Sequence, residues 1–524
     1  MHKSAISLGH IADVPEFGMK AVQHEGRQIL LVRNGERITA IEGTCPHAGA
    51  PLVEGVLCGA KIICPWHKAA FSVENGECLA PPAVDALQAF PLHCREGEIF
   101  LAPEVEKPSA EPVADIRQFA IIGAGAAGFS AAQCLRREGF AGGIRLIDLA
   151  TALPYDRTIL SKSAMAGSKA DEKTPLQDEA FYHRHGIERY HAKVEKLDIK
   201  TKQITFDNGL TQDCDAIFIA TGGTPRPLPF SGARSNRVFT LRSTGDAARI
   251  AAAAEDARHA VIIGTGFIGM EAAAGLRERG LQVTVIGQES VPFEKQLGPK
   301  IGAVLQRLHE KKGVKFLLGH KISHIETGKA GATVHLKEGD IIHADLIVAG
   351  LGVVPATGFV EECFKQKDGG LTVDETLKLA EGIYAGGDIA AFPRGADGGR
   401  VRVEHWRVAE QHGRIAALNM LGKSMAFRAT PYFWTIHFMQ RLDYIGHASG
   451  DDEVIIRGDV ETQKFIAYYL RGGTVAAAAG MNQDQDMAAI IELMDMRQGW
   501  STDELHPPGS APQAVLRAQI RHMP

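Results

Sequence analysis

An apolar strand, a glycine-rich turn and the opening of a helix occur twice in this chain, and that repetition constrains the fold more than any other feature. The first copy runs from Gln118-Phe-Ala-Ile-Ile122 into Gly123-Ala-Gly125-Ala-Ala-Gly128, and the second from Ala260-Val-Ile-Ile263 into Gly264-Thr-Gly266-Phe-Ile-Gly269. In a strand-turn-helix unit of this kind the first glycine makes the tight turn, the second lets a pyrophosphate approach the backbone, and the third lets the helix pack on the strand. The helix N-terminus then attracts the anion. The first unit leads on to Ile144-Arg-Leu-Ile-Asp148, whose carboxylate stands where a ribose hydroxyl would donate. A single such turn is a weak signal. Two in the same context point to a pair of dinucleotide sites in an α/β body, and a chain of 524 residues has room for three or four domains.

Ahead of this body, short alternating runs, Gln28 to Val32 and Arg37 to Ile41, flank an Asn34-Gly35 turn expected to be type I′, and a second turn falls at Asn75-Gly76. The spacing predicts an all-β domain over residues 1–103. Two loops within it carry Cys45-Pro-His47 and Cys64-Pro-Trp-His67. Each presents one thiolate and one imidazole, the order needed when two Cys hold one iron of a [2Fe-2S] centre and two His hold the other. Tetrahedral zinc also accepts two Cys and two His, although its loops normally begin CxxC or end HxxxH. With these ligands the domain resembles Rieske-type ferredoxins. In that family a tied pair of loops carries an extra Cys in each, where this chain has Ala50 and Trp66. High-potential members carry hydroxyl donors where it has Ala69 and Phe71. The resemblance therefore implies a disulfide-free cluster of low potential.

Composition excludes several functions. Hydrophobic residues make up 45% and charged residues 23%, with 57 Lys and Arg against 62 Asp and Glu, so no nucleic-acid partner is indicated. The N-terminus lacks an apolar leader, and no apolar run is long enough for a membrane span. Eight scattered Cys without a CxxC pair suit a reducing compartment, and a cytoplasmic protein is expected. No Cys lies between Cys134 and Cys214, which excludes a redox-active dithiol after the first dinucleotide unit.

From residue 116 to about 500 the chain resembles the apoptosis-inducing-factor and ferredoxin-reductase group of pyridine nucleotide disulfide oxidoreductases. The marks are Leu153-Pro-Tyr-Asp-Arg157, Leu160-Ser-Lys162, Ala220-Thr-Gly-Gly223, Gly350-Leu-Gly-Val-Val-Pro355, Tyr384-Ala-Gly-Gly-Asp388, Val403-Glu-His-Trp406 and Tyr432-Phe-Trp-Thr435. The resemblance implies FAD in the first unit, with Asp148 on the adenosine ribose, Arg226 near the phosphates and Asp388 on the ribityl chain. Arg157, Val194, Thr221, Gly222, Gly352 and Gly387 complete the implied FAD contacts. Lys162 should lie by the isoalloxazine, paired with Glu271 in the first turn of the second dinucleotide helix, and these two are the implied catalytic residues. A solvated lysine and a helix-favoured anion are the plain alternatives. His405, Trp406 and Trp434 either flank the flavin or are core aromatics. The second unit should hold the nicotinamide donor. Gly287 stands where an NAD-selective acid is expected, Glu289 follows two residues later, and no Arg or Lys lies between Gly280 and Phe293, so NADH is favoured over NADPH.

The expected layout is a Rieske domain at 1–103, a linker at 104–115 and an FAD-binding domain split between 116–242 and 351–427. An NAD(P)H-binding domain occupies 243–350, and a small α+β reductase domain 428–524, in which Pro507 to Pro524 reads as a loosely attached tail. A nicotinamide yields two electrons together and a [2Fe-2S] cluster takes one, so a flavin between them is required. The leading expectation is electron transfer from NADH through FAD and the cluster to an oxygenase or another haem or iron enzyme docking at the edge of His47 and His67. A redox-sensing protein and a monodehydroascorbate or quinone-type reductase with an auxiliary cluster are the alternatives.

Overall fold

The computed structural model describes residues 7–102, 115–167, 175–328, 331–394, 399–496 and 511–520. Residues 103–114, most of the expected linker, lie outside the described residues.

Residues 7–102 form three small antiparallel sheets, two of them closed by strands from the far end of the domain, Ser7–His10 on Glu98–Leu101 and Arg37–Glu42 on Ala89–Phe90. Strands Arg27–Asn34 and Arg37–Glu42 pair with Asn34 opposite Arg37, which makes Gly35-Glu36 the two-residue loop. Positive φ occurs only at Gly35, so the turn follows the II′ pattern and sits one residue later than the type I′ turn expected at Asn34-Gly35. A second sheet, Val56–Cys58, Lys61–Ile63, Ala70–Ser72 and Cys78–Ala80, carries the second ligand loop between its middle strands.

Both glycine fingerprints sit where alternation from strand to helix placed them. In the FAD-type unit a six-stranded sheet has Gln118–Ile122 between Gly143–Asp148 and Ala216–Ile219, all parallel, as a doubly wound sheet requires. Helix α1 (Ala126–Arg137) follows the first fingerprint and α2 (Phe267–Glu278) the second. The second sheet is five-stranded and parallel, and its edge strand Val238–Thr240 comes from ahead of residue 243. An antiparallel meander, Ile322–Gly328, Gly331–Leu336 and Ile341–Ala344, covers it. Helix α3 (Trp406–Met420) crosses α1 so closely that a Cβ at Gly413 would lie 2.1 Å from the Ala127 carbonyl oxygen.

The C-terminal unit is a five-stranded antiparallel sheet, Tyr432–His437 to Thr474–Met481, backed by α4 (Asp484–Met496). The stretch expected as a loose tail instead contains α5 (Pro512–Ile520), whose Leu516 is fully buried. Leu516 belongs to one apolar core with Val56 and Ile63 of the β-domain and Ile445 and Ile490 of the C-terminal unit. Short polar composition concealed this helix, because one apolar anchor among Gln and Arg gives little periodic signal.

That shared core fixes the β-domain against the reductase body. Polar contacts reinforce it: Arg407 on α3 donates to the carbonyls of Pro81 (2.7 Å) and Lys68 (3.0 Å), and Arg414 to that of Cys78 (2.6 Å). Lys68, with no exposure, donates to Asp443 at 2.9 Å. No helix among the described residues is long and apolar enough to cross a membrane.

Candidate redox site

Cys45 and His47 follow the strand Arg37–Glu42, and Cys64 and His67 follow Lys61–Ile63. Each loop is closed by backbone bonds, Cys45 N–H to Ala50 and Cys64 N–H to Ala69, which hold the ligand residues in matching hooks. The Cys45 and Cys64 thiols lie close enough to perturb each other's ionisation, raising the one and lowering the other, and the two Nδ1 atoms of His47 and His67 stand 3.1 Å apart. The four donors thus form a Cys pair and a His pair and do not gather about one point. A binuclear cluster needs two such pairs and a single zinc does not. Burial pushes both imidazoles below their ordinary pKa, His67 well below, which favours the neutral form that ligates. Ala69 and Phe71 are fully buried at the positions read from the sequence as lacking donors.

The imidazole pair, half-buried, packs against the reductase body. The His67 ring lies 4.5 Å from Trp434 and that of His47 6.2 Å from it, so the edge expected to meet an external acceptor is turned toward the reductase body. The physical cause is the buried latch one residue on: Lys68, held at φ 60°, reaches across to Asp443 on the same sheet as Trp434.

Trp434 and Thr435 are consecutive on the strand Tyr432–His437, and Thr435 Oγ1 donates to Glu271 Oε1 at 2.7 Å. Lys162 Nζ donates to Glu271 Oε2 at 3.0 Å, and Ser161 Oγ donates to the same oxygen. Glu271 is the fifth residue of α2, in its second turn, and is buried, so its carboxylate is held by three side chains and is not a solvated helix-end anion. His405, the residue just before α3, packs on Phe433 at 4.3 Å between ring centroids, with a buried Nδ1 that has no hydrogen-bond partner. Trp406 is half-buried against the core of the first unit.

Around the first fingerprint, a Cβ on Gly128 would meet the Gly123 oxygen at 1.8 Å, while nothing lies within 4 Å of one on Gly125, leaving the N-terminus of α1 open. Asp148 accepts from the backbone of Ala124 (2.6 Å) and Ala150 (2.7 Å), which shapes that turn. Arg242, not singled out in the sequence, donates to Asp388 at 3.0 Å, and its buried Nε has no partner. A Cβ on Gly222 would fall 2.9 Å from that guanidinium, so Thr221-Gly222, Arg242 and Asp388 converge. Arg157 is held below its usual pKa by burial and by the neighbouring Arg242. Two crowded guanidiniums, an orphaned Nε and an open helix N-terminus fit the diphosphate of FAD. The backbone N–H of Arg226 donates to Gly352 and its guanidinium to the Val353 carbonyl at 3.4 Å, and Val194, at the start of the strand Val194–Asp198, has its side chain in the core. Gly387, at φ 72°, opens the short turn that carries Asp388.

At the second fingerprint Gly287 has a reason to lack a side chain: its Cβ would strike Thr265 at 2.4 Å. Glu289, two residues on, accepts from Thr265 Oγ1 at 2.9 Å and from Lys295 at 2.8 Å. Lys295 lies two residues beyond Phe293 and carries no sequence signal beyond its charge.

Comparison with known proteins agrees with this geometry. The pyridine nucleotide-disulphide oxidoreductase family matches residues 117–413, the Rieske [2Fe-2S] domain 4–91 and the reductase C-terminal domain 432–515. The chain belongs to the pyridine nucleotide-disulphide oxidoreductases. It is 34% identical to the human protein apoptosis-inducing factor 3 over 506 residues, 93% of this chain and 83% of that one, and equally identical to the mouse protein. Among solved structures, a putidaredoxin reductase in covalent complex with putidaredoxin is similar over 78% of this chain and 99% of that one, at TM-score 0.73 and 28% identity. A ferredoxin reductase from Rhodopseudomonas palustris gives TM-score 0.72 and 26% identity, covering 77% and 100%. This member is an oxidoreductase with a [2Fe-2S] cluster, FAD and NAD(P)H as its cofactors. Despite the family's name, Cys134 and Cys214 are buried single residues without a dithiol partner, in keeping with the exclusion read from the sequence.

Proposed function

We propose that this protein takes electrons from NADH through FAD to its own low-potential Rieske cluster and delivers them singly to a separate redox protein, an oxygenase or another haem or iron enzyme. The observation that carries the reading is the packing of His67 on Trp434, whose neighbour Thr435 holds Glu271 of the Lys162–Glu271 pair. Bound flavin supplies the exchange between two-electron and one-electron chemistry that a nicotinamide and a [2Fe-2S] cluster require. The chain's residues supply placement. Lys162, tethered by Glu271, sits at the head of the site, Arg157 and Arg242 balance the diphosphate, and Glu289 accepts from the nicotinamide nucleotide's ribose. An auxiliary cluster would not need its imidazoles aimed at this pocket. With that side enclosed, the exposed Pro46, Ala48 and Gly49 of the first ligand loop form the route by which an external acceptor reaches the cluster.

Anaerobic titration with NADH and with NADPH, following flavin and cluster spectra separately, tests this reading. Cluster reduction that follows flavin reduction, with NADH the better donor, is expected. Trp434→Leu should slow cluster reduction while leaving flavin reduction unchanged. A cluster that stays oxidised while the flavin is fully reduced would overturn the proposal.

A further inference from the structure

A chain of buried hydrogen bonds leads from the Lys162–Glu271 pair to two histidines. The strand Tyr432–His437 carries Trp434 on one face and Thr435 and His437 on the other, since residues two apart on a strand share a side. Thr435 Oγ1, which donates to Glu271 Oε1 at 2.7 Å, lies 2.9 Å from His437 Nε2. His437 Nδ1 in turn lies 3.2 Å from Nε2 of His309, near the end of the helix Glu294–Lys311. Thr435 is 1% exposed and both histidines 0%, which leaves no solvent to replace any link. Phe293 packs on His437 at 5.5 Å and Phe438 on His309 at 4.9 Å between ring centroids, so apolar rings line the chain. Burial pushes His437 down to about 3 and His309 well below its ordinary pKa, and both imidazoles are neutral at working pH. The polar groups that bear on His437 are Thr435, His309, the Met270 carbonyl and the more distant Lys162 ammonium.

We propose that His437 and His309 are positioning residues for the flavin site: their tautomers are locked in one direction, so that Thr435 always donates to Glu271 and the carboxylate keeps its hold on Lys162. The proposal rests on the reading of Lys162 and Glu271 as the flavin-side pair. The direction is fixed from the carboxylate end. An ionised carboxylate only accepts, so the single Thr435 hydrogen lies on Glu271 and Thr435 has only lone pairs left for His437. His437 must then carry its hydrogen on Nε2, and being neutral it presents a bare Nδ1. His309 fills that lone pair from its own Nε2–H, which leaves its Nδ1 bare. Nδ1 of His309 is the one atom of the chain that is buried without a hydrogen-bond partner, as a lone pair at the end of a one-way chain would be. Without His309, His437 is free to move its hydrogen to Nδ1, and its bare Nε2 then competes with Glu271 for the Thr435 hydrogen. An imidazole with no contact to Lys162 or Glu271 thus decides which way a hydroxyl beside them points.

The test uses the full-length protein with flavin and cluster in place and oxidised. Nitrogen-15 spectra of histidine-labelled protein should show His309 and His437, assigned by their loss from the single variants, as neutral Nε2–H tautomers that do not titrate between about pH 5.5 and 9. In His309→Phe the His437 signals should move toward the Nδ1–H form. Stopped-flow reduction of the flavin by NADH should slow about two- to tenfold in His437→Phe and in His309→Phe, the weight of one neutral hydrogen bond, with FAD retention unchanged. His437→Gln and His309→Gln put an amide N–H where Nε2–H stood and should stay within roughly twofold of wild type. A pair that only ties the helix to the strand would lower the melting midpoint of the Phe variants and leave both the His437 tautomer and the rate alone. An Nδ1–H tautomer in wild type would overturn the proposal, as would Phe variants that are reduced at the wild-type rate while Thr435→Val is slowed. If Thr435→Val is itself reduced at the wild-type rate, the reading of Glu271 falls and the positioning role falls with it, a failure distinct from the other two.

Discussion

The latch between Lys68 and Asp443 predicts an asymmetry that can be measured. Lys68 has no exposure and Asp443 has 2%, and their contact of 2.9 Å joins the cluster loop to the C-terminal sheet. Removing one partner of a buried pair costs about 3–5 kcal/mol because the other charge is left without compensation. The two ends are not equivalent. After Lys68→Met, Asp443 keeps the Tyr432 hydroxyl at 2.9 Å and Arg441 Nε at 3.1 Å. After Asp443→Asn, the buried ammonium has only carbonyl oxygens and a neutral amide. We therefore expect Asp443→Asn to cost about 3–5 kcal/mol and Lys68→Met about 1–3 kcal/mol. The double variant should cost less than the sum, as coupled neighbours do. For a unit of 60–100 residues each kcal/mol moves the melting midpoint by about 4–8 °C, so in Asp443→Asn the Rieske-domain transition should fall by at least about 12 °C. Calorimetry of the holoprotein resolves that transition, and stopped-flow spectroscopy should show slower cluster reduction in the same variants, because the latch holds His67 on Trp434. Equal losses from the two single variants, or additive losses in the double, would refute the reasoning.

Three further outcomes are expected. Glu271→Ala should slow hydride transfer from NADH to the flavin more than it weakens FAD retention, since the carboxylate holds Lys162 and Thr435 and does not carry the diphosphate; equal hydride-transfer rates in variant and wild type would contradict this. Glu289→Ala should reduce the preference for NADH over NADPH by about ten- to 150-fold, the effect of one hydrogen bond to a charged acceptor of about 1.5–3 kcal/mol, seen as a change in the kcat/KM ratio. The cluster midpoint should fall at the low end of the Rieske range of about −150 to +300 mV, and Phe71→Tyr should raise it by adding a donor near sulfur; potentiometric titration followed by EPR reads both.

Motifs whose chemistry is local were legible in the sequence. The third glycine of each fingerprint is set by a contact inside the turn itself, 1.8 Å to the Gly123 oxygen at Gly128 and 2.6 Å to the Gly264 oxygen at Gly269, so spacing reveals it, whereas the first is crowded by the distant backbone of Ala220 or Gly350. The Cys-x-His and Cys-x-x-His loops are similar, because each hook closes on its own backbone. The pairing of Lys162 with Glu271 came from the family resemblance, and no periodicity within the chain would have supplied it.

What the sequence by itself determined is therefore the inventory: a cluster-binding β-domain, two dinucleotide folds, and a β-rich C-terminal unit. Only the tertiary structure decided how they face one another. Lys68 meets Asp443 across 375 positions, Arg242 meets Asp388 across 146, and Leu516 closes a core with Val56. Such contacts depend on which surfaces are buried together, and each residue alone reads as an ordinary charge or an ordinary leucine. The orientation of the His47 and His67 edge followed from them. Desolvation and a buried ion pair turn it inward onto Trp434, a direction that short-range spacing does not encode.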